Sequence, residues 1–365
     1  MLGKIMEQKR VYAFDVMRII AALGVIVIHV ASDLVGSAPF CSAEYGIANV
    51  IGSIARTAVP LFIMISGALM LDENKPMLAK KPVIVAARTY GVLMIWSFIY
   101  AAVFYILLPV YIPALSTVQL SREAFVCAIA SGHFHLWYLF MIIGLYLITP
   151  VLRLFIKQEN RKKIEYLLVL TITVNLAFPF INYVWNFFSE EECLLSLHFS
   201  QFDFSFVRSY LIYYILGWYL VNTDFTPGKR AVIYLVGVCG ALATILFSYY
   251  LSSETFKAYG FFYSYGTLNV LAESVAVFVF FLVKWKQPAK AVYAKRMQSL
   301  AQLSFGVYLI HPFVLFVVEK MTKEVLQIPN SYCERVLINF ILVAGPSFVL
   351  SYILSKIPLL RRITR

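Results

Sequence analysis

Charge is the first thing this sequence has little of: Asp, Glu, Lys and Arg make up 14% of its 365 residues, against about 25% in a soluble domain. With 61% hydrophobic residues and a mean hydropathy of +0.79, that shortage excludes an ordinary cytosolic protein and a disordered chain alike. Cysteine is scarce too. The five present (Cys41, Cys127, Cys193, Cys239, Cys333) form no C-x-x-C and no paired spacing, so no zinc or thioredoxin-like motif is encoded, although disulfide pairing on the outer side stays open. The five histidines lack metal-ligand spacing, and no G-x-S-x-G elbow, H-E-x-x-H or Walker A pattern occurs. Serine-elbow hydrolases, zincins and P-loop enzymes therefore find no support.

What the chain does have is long apolar runs, near 11–32, 45–71, 83–108, 134–156, 164–184, 203–222, 231–251, 266–283, 300–319 and 336–355. A membrane span consumes about 20 residues, so ten spans leave little for a soluble domain. The expectation is an all-α, polytopic integral membrane bundle of about ten transmembrane helices. It forms a single domain over 1–365 with no appended soluble domain. The run Ile19–Ala31 joins the polar FDVMR segment into one longer helix and lacks a small-residue cleavage site, which reads as a span rather than a signal peptide.

The net charge of +12 follows from topology. Of the 31 Lys and Arg, 21 fall in alternate connections on one side, 5 on the other and 5 inside spans, which places both termini in the cytoplasm. Anionic membrane lipid, rather than nucleic acid, is the partner such a distribution suits. The acidic run Glu190–Glu192, in the outer connection 185–202, reads as a solvated face.

Ionisable residues inside a span cost about 2.5–3.5 kcal/mol each on insertion scales, so those that persist usually face the bundle interior or a wet cavity. The first span carries Asp15, Arg18 and His29. Eleven residues of helix return to within about 20° of the starting direction and rise about 16 Å, so Arg18 and His29 share a face. A fixed cation then sits in the cytoplasmic half and a titratable imidazole near the outer end, an arrangement for a long ligand with an anionic tail and a reacting head. The alternative is structural: Asp15 and Arg18 pair at i,i+3, and His29 caps the outer end.

The segment RVYAFDVMRIIAALGVIVIH resembles the first helix of the acyltransferase-3 family of integral-membrane acyltransferases, whose pattern is Arg or Lys, ten residues, then His; Arg18 and His29 match it. RTAVPLFIMISGALM at 56–70, HLWYLFMIIGLYLITPVL at 135–152 and SFGVYLIHPFVL at 304–315 agree in order. The set is most similar to short O-acetyltransferases of surface polysaccharides. That resemblance implies a bacterial inner-membrane enzyme that takes acetyl from acetyl-CoA and passes it to a sugar hydroxyl of a glycan acceptor. His29 and Asp15 would be catalytic, Arg18 and Arg56 would bind the donor, and His135 and Trp137 the acceptor. No metal is implied, and association of identical copies stays open. The segment Ser66-Gly67-Ala68 departs from the aromatic that many relatives carry after Ser-Gly.

Other residues keep two readings. Arg56 lies four residues before Pro60, where a proline frees backbone groups and bends the helix; it lines a cavity or pairs in the interior with Glu273 or another acid. His135 is an acceptor-site residue or an interface anchor beside Trp137. His311, before Pro312, favours a structural hydrogen bond to a freed carbonyl over catalysis, and His133 reads as a loop residue. A transporter or flippase for a polar lipid or solute is the rival to the enzyme, although no pair of interrupted repeats supports it.

Overall fold

The computed structural model describes residues 12–40, 42–75, 80–111, 121–188, 209–255, 260–285, 291–322 and 332–364. The chain is 89% helical without strands among the described residues, an all-α bundle. In lipid every backbone polar group must be satisfied within its own segment, and long apolar helices do this. Among the described residues, eight helical stretches are individually long and apolar enough to cross a membrane, or nine if the bent pair Val292–Ala301 with Ser304–Lys320 is one span. These make it an integral membrane protein. The tenth expected span, 203–222, is represented only by the shorter helix Ser209–Val221, because 203–208 lie outside the described residues, as does the acidic run Glu190–Glu192.

Helix α1 (Tyr12–Ser37) is the axis of the bundle. Ala13, Met17, Ala21, Ile26 and Val30 are buried along it. It packs against α2 (Ala43–Ala55) and α3 (Ala58–Met70), and later helices close around its other side. The expected span 45–71 is one helical crossing, Ala43–Met70, with a local turn at Arg56–Thr57 where α2 meets α3. Pro60 has no N–H to give to the Arg56 carbonyl; at the turn the Arg56 N–H bonds the Ser53 carbonyl at 3.1 Å, and Leu61 bonds the Thr57 carbonyl at 3.0 Å.

Helix α4 (Lys80–Ala102) lies beside the helix of the fourth span. That span opens with α5 (Arg122–Ser131), turns through Phe134–Leu136 and continues as α6 (Trp137–Phe155). Helices α7 (Arg161–Ile172) and α8 (Phe178–Phe188) follow, then α9 (Ser209–Val221), α10 (Pro227–Thr255) and α11 (Leu268–Lys284). The last four are α12 (Ala291–Ala301), α13 (Ser304–Lys320), α14 (Tyr332–Lys356) and α15 (Pro358–Thr364).

The tightest crossing is α3 on α9. A methyl built on Gly67 would overlap the Tyr214 carbonyl, and one on Gly217 the Met64 carbonyl, so the two backbones touch where only glycine fits. Small residues allow this approach in membrane helices, where dispersion between close backbones replaces a hydrophobic drive. The crossing fixes α3, and with it Ser66, against the center of the bundle.

Candidate active site

One cavity of about 1270 Å³ runs along α1. Arg18, Arg88 of α4 and Arg362 of α15 line one end; His29, Arg56, His135 and Trp137 line the other; Ser66, Tyr138 and Tyr146 lie in the wall. Helical geometry puts about 16 Å of rise between Arg18 and His29, so the shared face expected from their spacing opens onto one chamber. It is lined by guanidinium groups at one end and by imidazole and aromatic rings at the other.

Asp15 is placed away from His29. Fourteen residues of helix separate them, a rise of about 21 Å, and Asp15 instead meets Arg18, Oδ1 to Nη1 at 3.5 Å. Asp15 is 2% exposed while the Arg18 side chain is 30% exposed. Arg18 is thus paired with Asp15 and also faces the cavity. Asp15 is a neighbour of Arg18, out of reach of any reaction at the imidazole.

At the other end three parts of the chain bring four histidines together. The His29 ring is flanked by Phe134 edge-on, centroids 5.1 Å apart, and by His311, stacked at 5.3 Å. His311 Nδ1 lies 2.8 Å from the Tyr308 carbonyl and 3.1 Å from that of Val307. The Tyr308 carbonyl is the one that Pro312, lacking an N–H, leaves without its helical donor. A carbonyl only accepts, so Nδ1 carries the proton and Nε2 presents its lone pair; that Nε2 is buried without a partner among the described residues. The structural reading of His311 holds, and the same bond orients its ring onto His29.

His135 is 2% exposed, far more buried than an anchor at the membrane interface would be, and its backbone carbonyl accepts from the Tyr308 hydroxyl at 2.8 Å. His133 is a loop residue by backbone, yet its ring stacks on Tyr100 at 4.3 Å and its Nδ1 sits 3.0 Å from His135 Nδ1. One of those two nitrogens must donate and the other accept.

Arg56, at the turn between α2 and α3, lies over the Tyr263 ring at 4.6 Å to the centroid. The alternative pairing with Glu273 is not formed: no ion pair joins them, and Glu273 is buried with Oε2 lacking a partner among the described residues. Trp137 lines the cavity with Tyr265, its ring stacked on Tyr265 at 5.9 Å and tilted toward Tyr210 at 5.6 Å. Cationic and aromatic faces therefore meet at the His29 end. No group of three metal-ligating side chains occurs among the described residues.

The acyltransferase-3 family model, described as an acyltransferase domain, matches residues 11–356. The chain belongs to the acyltransferase-3 family. No curated protein and no solved structure matches it. The match contains every cavity residue of this acyltransferase named above except Arg362, which lies beyond it. Arg88 and Arg362 were not singled out by spacing, because they come from opposite ends of the chain. The available signal for Arg88 was its place inside an apolar span, where a cation is expensive. Arg362 is indistinguishable in sequence from the neighbouring charges that set topology.

Proposed function

We propose that this membrane acyltransferase moves an acetyl or other short acyl group from acyl-CoA to a sugar hydroxyl of a surface or lipid-linked glycan. In this reading it does so in a bacterial inner membrane with both termini cytoplasmic. The observation that carries the reading is the single chamber holding Arg18 and His29 at opposite ends. The donor enters at the arginine end, where guanidinium groups suit phosphate, and its thioester reaches the imidazole. The acceptor approaches from the far side, where Trp137 and Tyr265 offer flat faces to a sugar ring and His135 offers a polar edge.

In the transfer itself, a His29 ring nitrogen takes the hydroxyl proton while the oxygen forms a bond to the thioester carbonyl carbon. The C–S bond then breaks, and the leaving thiolate receives the proton from the imidazolium. Phe134 and His311 hold the ring in place between them. Asp15 serves by orienting Arg18, and Arg56 stabilises negative charge that develops beside His29. Family membership favours this enzyme over a transporter.

The test is radiolabelled acetyl transfer from acetyl-CoA to extracted glycan by the purified full chain. A positioned general base contributes about a hundred- to ten-thousand-fold, so His29→Ala loses that much turnover while remaining inserted and folded. Wild-type turnover in His29→Ala would refute the role. Glycan mass spectrometry in a deletion strain identifies the acceptor.

A further inference from the structure

Helix α15 lies beyond the family-matched residues 11–356, and it is built into the chamber wall. The Trp96 indole N–H of α4 donates to the Ile363 carbonyl at 3.1 Å. Thr364 is buried and its hydroxyl returns to the Leu360 carbonyl at 3.0 Å, while Ile363 packs on the core and lines the cavity. Gly306 of α13 leaves room for this end: a methyl there would stand 3.3 Å from the Thr364 carbonyl oxygen. The backbone of α15 is thus held on two sides, which fixes where its side chains emerge. Arg362 emerges into the cavity. Its neighbour Arg361, one position away and rotated by about 100°, is exposed and does not line it.

Across the mouth stands Arg88, on the α4 face that also gives Val85, Val92 and Ile95 to the lining. Arg88 and Arg362 are both exposed at the opening, and neither has an acidic partner within ion-pair distance among the described residues. Two guanidinium forks without counter-ions, held by packed helices at the mouth of a chamber, make a receptor for phosphate, which they engage bidentately.

Resting on the acyl-CoA reading above, we propose that Arg362 and Arg88 grip the phosphates of the nucleotide end of the donor, and that α15 is the wall that makes this grip. Arg18, deeper on the same cavity, receives the donor beyond the nucleotide. The ligand chemistry is a phosphorylated nucleotide bearing a thioester arm. The phosphate of an anionic lipid headgroup shares that chemistry, so the two sources must be separated.

The experiment titrates adenosine 3′,5′-bisphosphate into the purified full chain in nanodiscs of phosphatidylcholine alone, and in discs that also contain phosphatidylglycerol, by calorimetry. It compares wild type with Arg362→Ala, Arg88→Ala and Arg361→Ala, and measures acetyl transfer from acetyl-CoA and from acetyl-pantetheine, which lacks the nucleotide. Loss of one charge-assisted fork weakens nucleotide binding by about ten-fold. The expected result is that loss in Arg362→Ala and Arg88→Ala in both lipids, with KM for acetyl-CoA raised and turnover of acetyl-pantetheine unchanged. Arg361→Ala should behave as wild type, and all three should keep the wild-type melting temperature.

Wild-type nucleotide affinity in Arg362→Ala overturns the proposal, and so does an equal loss in Arg361→Ala, which would mark a diffuse surface field. A loss confined to phosphatidylglycerol discs assigns the arginine to lipid and overturns it as well. If the wild type transfers no acetyl from acetyl-CoA and binds no nucleotide, the acyl-CoA reading itself fails; if it transfers acetyl from acetyl-CoA but binds no nucleotide, only the arginine grip fails. If it binds nucleotide and Arg362→Ala binds equally, only the role of α15 fails.

Discussion

Replacing Gly67 by alanine tests the framework that holds the chamber open. The added methyl would lie 2.6 Å from the Tyr214 carbonyl carbon and 2.9 Å from its Cα, whereas carbon atoms pack at about 3.5 Å or more. Because the obstacle is backbone, no rotamer change relieves it, and α3 and α9 must part by about 1 Å or more. Overpacking against an unyielding backbone costs about 3 kcal/mol, the upper end of the usual range, and the better helix propensity of alanine returns about 1 kcal/mol. The expected net loss is about 2 kcal/mol, read for a chain of 365 residues as a fall in melting temperature of about 3 °C by intrinsic tryptophan fluorescence in detergent. Gly217→Ala should behave alike, since its methyl would stand 2.6 Å from the Met64 carbonyl carbon. Both methyls push apart the same pair of helices, so the double variant should lose less than the sum of the two singles. Either single variant melting at the wild-type temperature, or strictly additive losses, would refute the reasoning.

Three further outcomes are expected. Arg18→Ala should weaken donor binding and Arg18→Lys should restore it only in part, since an ammonium lacks the planar fork; a stable Arg18→Ala protein with unchanged donor affinity removes Arg18 from the site. His311→Ala should lower turnover and stability together, while His311→Phe, which keeps a ring against His29 but loses the bond to the Tyr308 carbonyl, should recover turnover and stay about 1–2 kcal/mol less stable; equal turnover in the two variants would show that stacking does not position His29. Glu273→Leu should raise the melting temperature and spare activity, because an apolar side chain there removes a buried carboxylate oxygen that has no partner among the described residues; a lower melting temperature would contradict this.

Local chemistry is what the sequence made legible. The face shared by Arg18 and His29 needs only the pitch of one helix, and the local turn at Arg56–Thr57 needs only the missing N–H of Pro60. The His311 bond follows from Pro312 in the same way. What escaped is what tertiary packing assembles. The loop placement of His133 was legible, but its stacking on Tyr100 depends on α4 lying beside that loop. The pairing of Arg56 with Glu273 was plausible by charge alone, and the Tyr263 ring takes that place. Arg88 and Arg362 lie 274 positions apart in the chain, and no periodicity links them. Asp15, expected to be catalytic by resemblance, is separated from the imidazole by a rise of about 21 Å, a distance that the helix pitch alone gives.

The distribution of cations along the cavity has a consequence for direction. A guanidinium remains charged at any physiological pH, whereas an imidazole can take up a proton and give it back. Three arginines at one end, against Arg56 alone among histidines and aromatic rings at the other, therefore sort a donor by its own asymmetry: its anionic part is held where fixed charge is concentrated, and its uncharged thioester is left where a proton can move. Under the proposed reading, the donor's charged part never has to cross to the His29 end. Only the acyl group passes to the acceptor, and the helices need not rock as a transporter's do. The Gly67–Gly217 crossing, where backbones already touch, suits a wall that stays closed while the acyl group is handed on. A cross-link that locks α3 to α9 should accordingly leave acyl transfer intact in the assay used for His29. If locking that crossing abolishes turnover in a folded protein that still binds donor, the chamber works by moving its walls, and the fixed-chamber account is wrong.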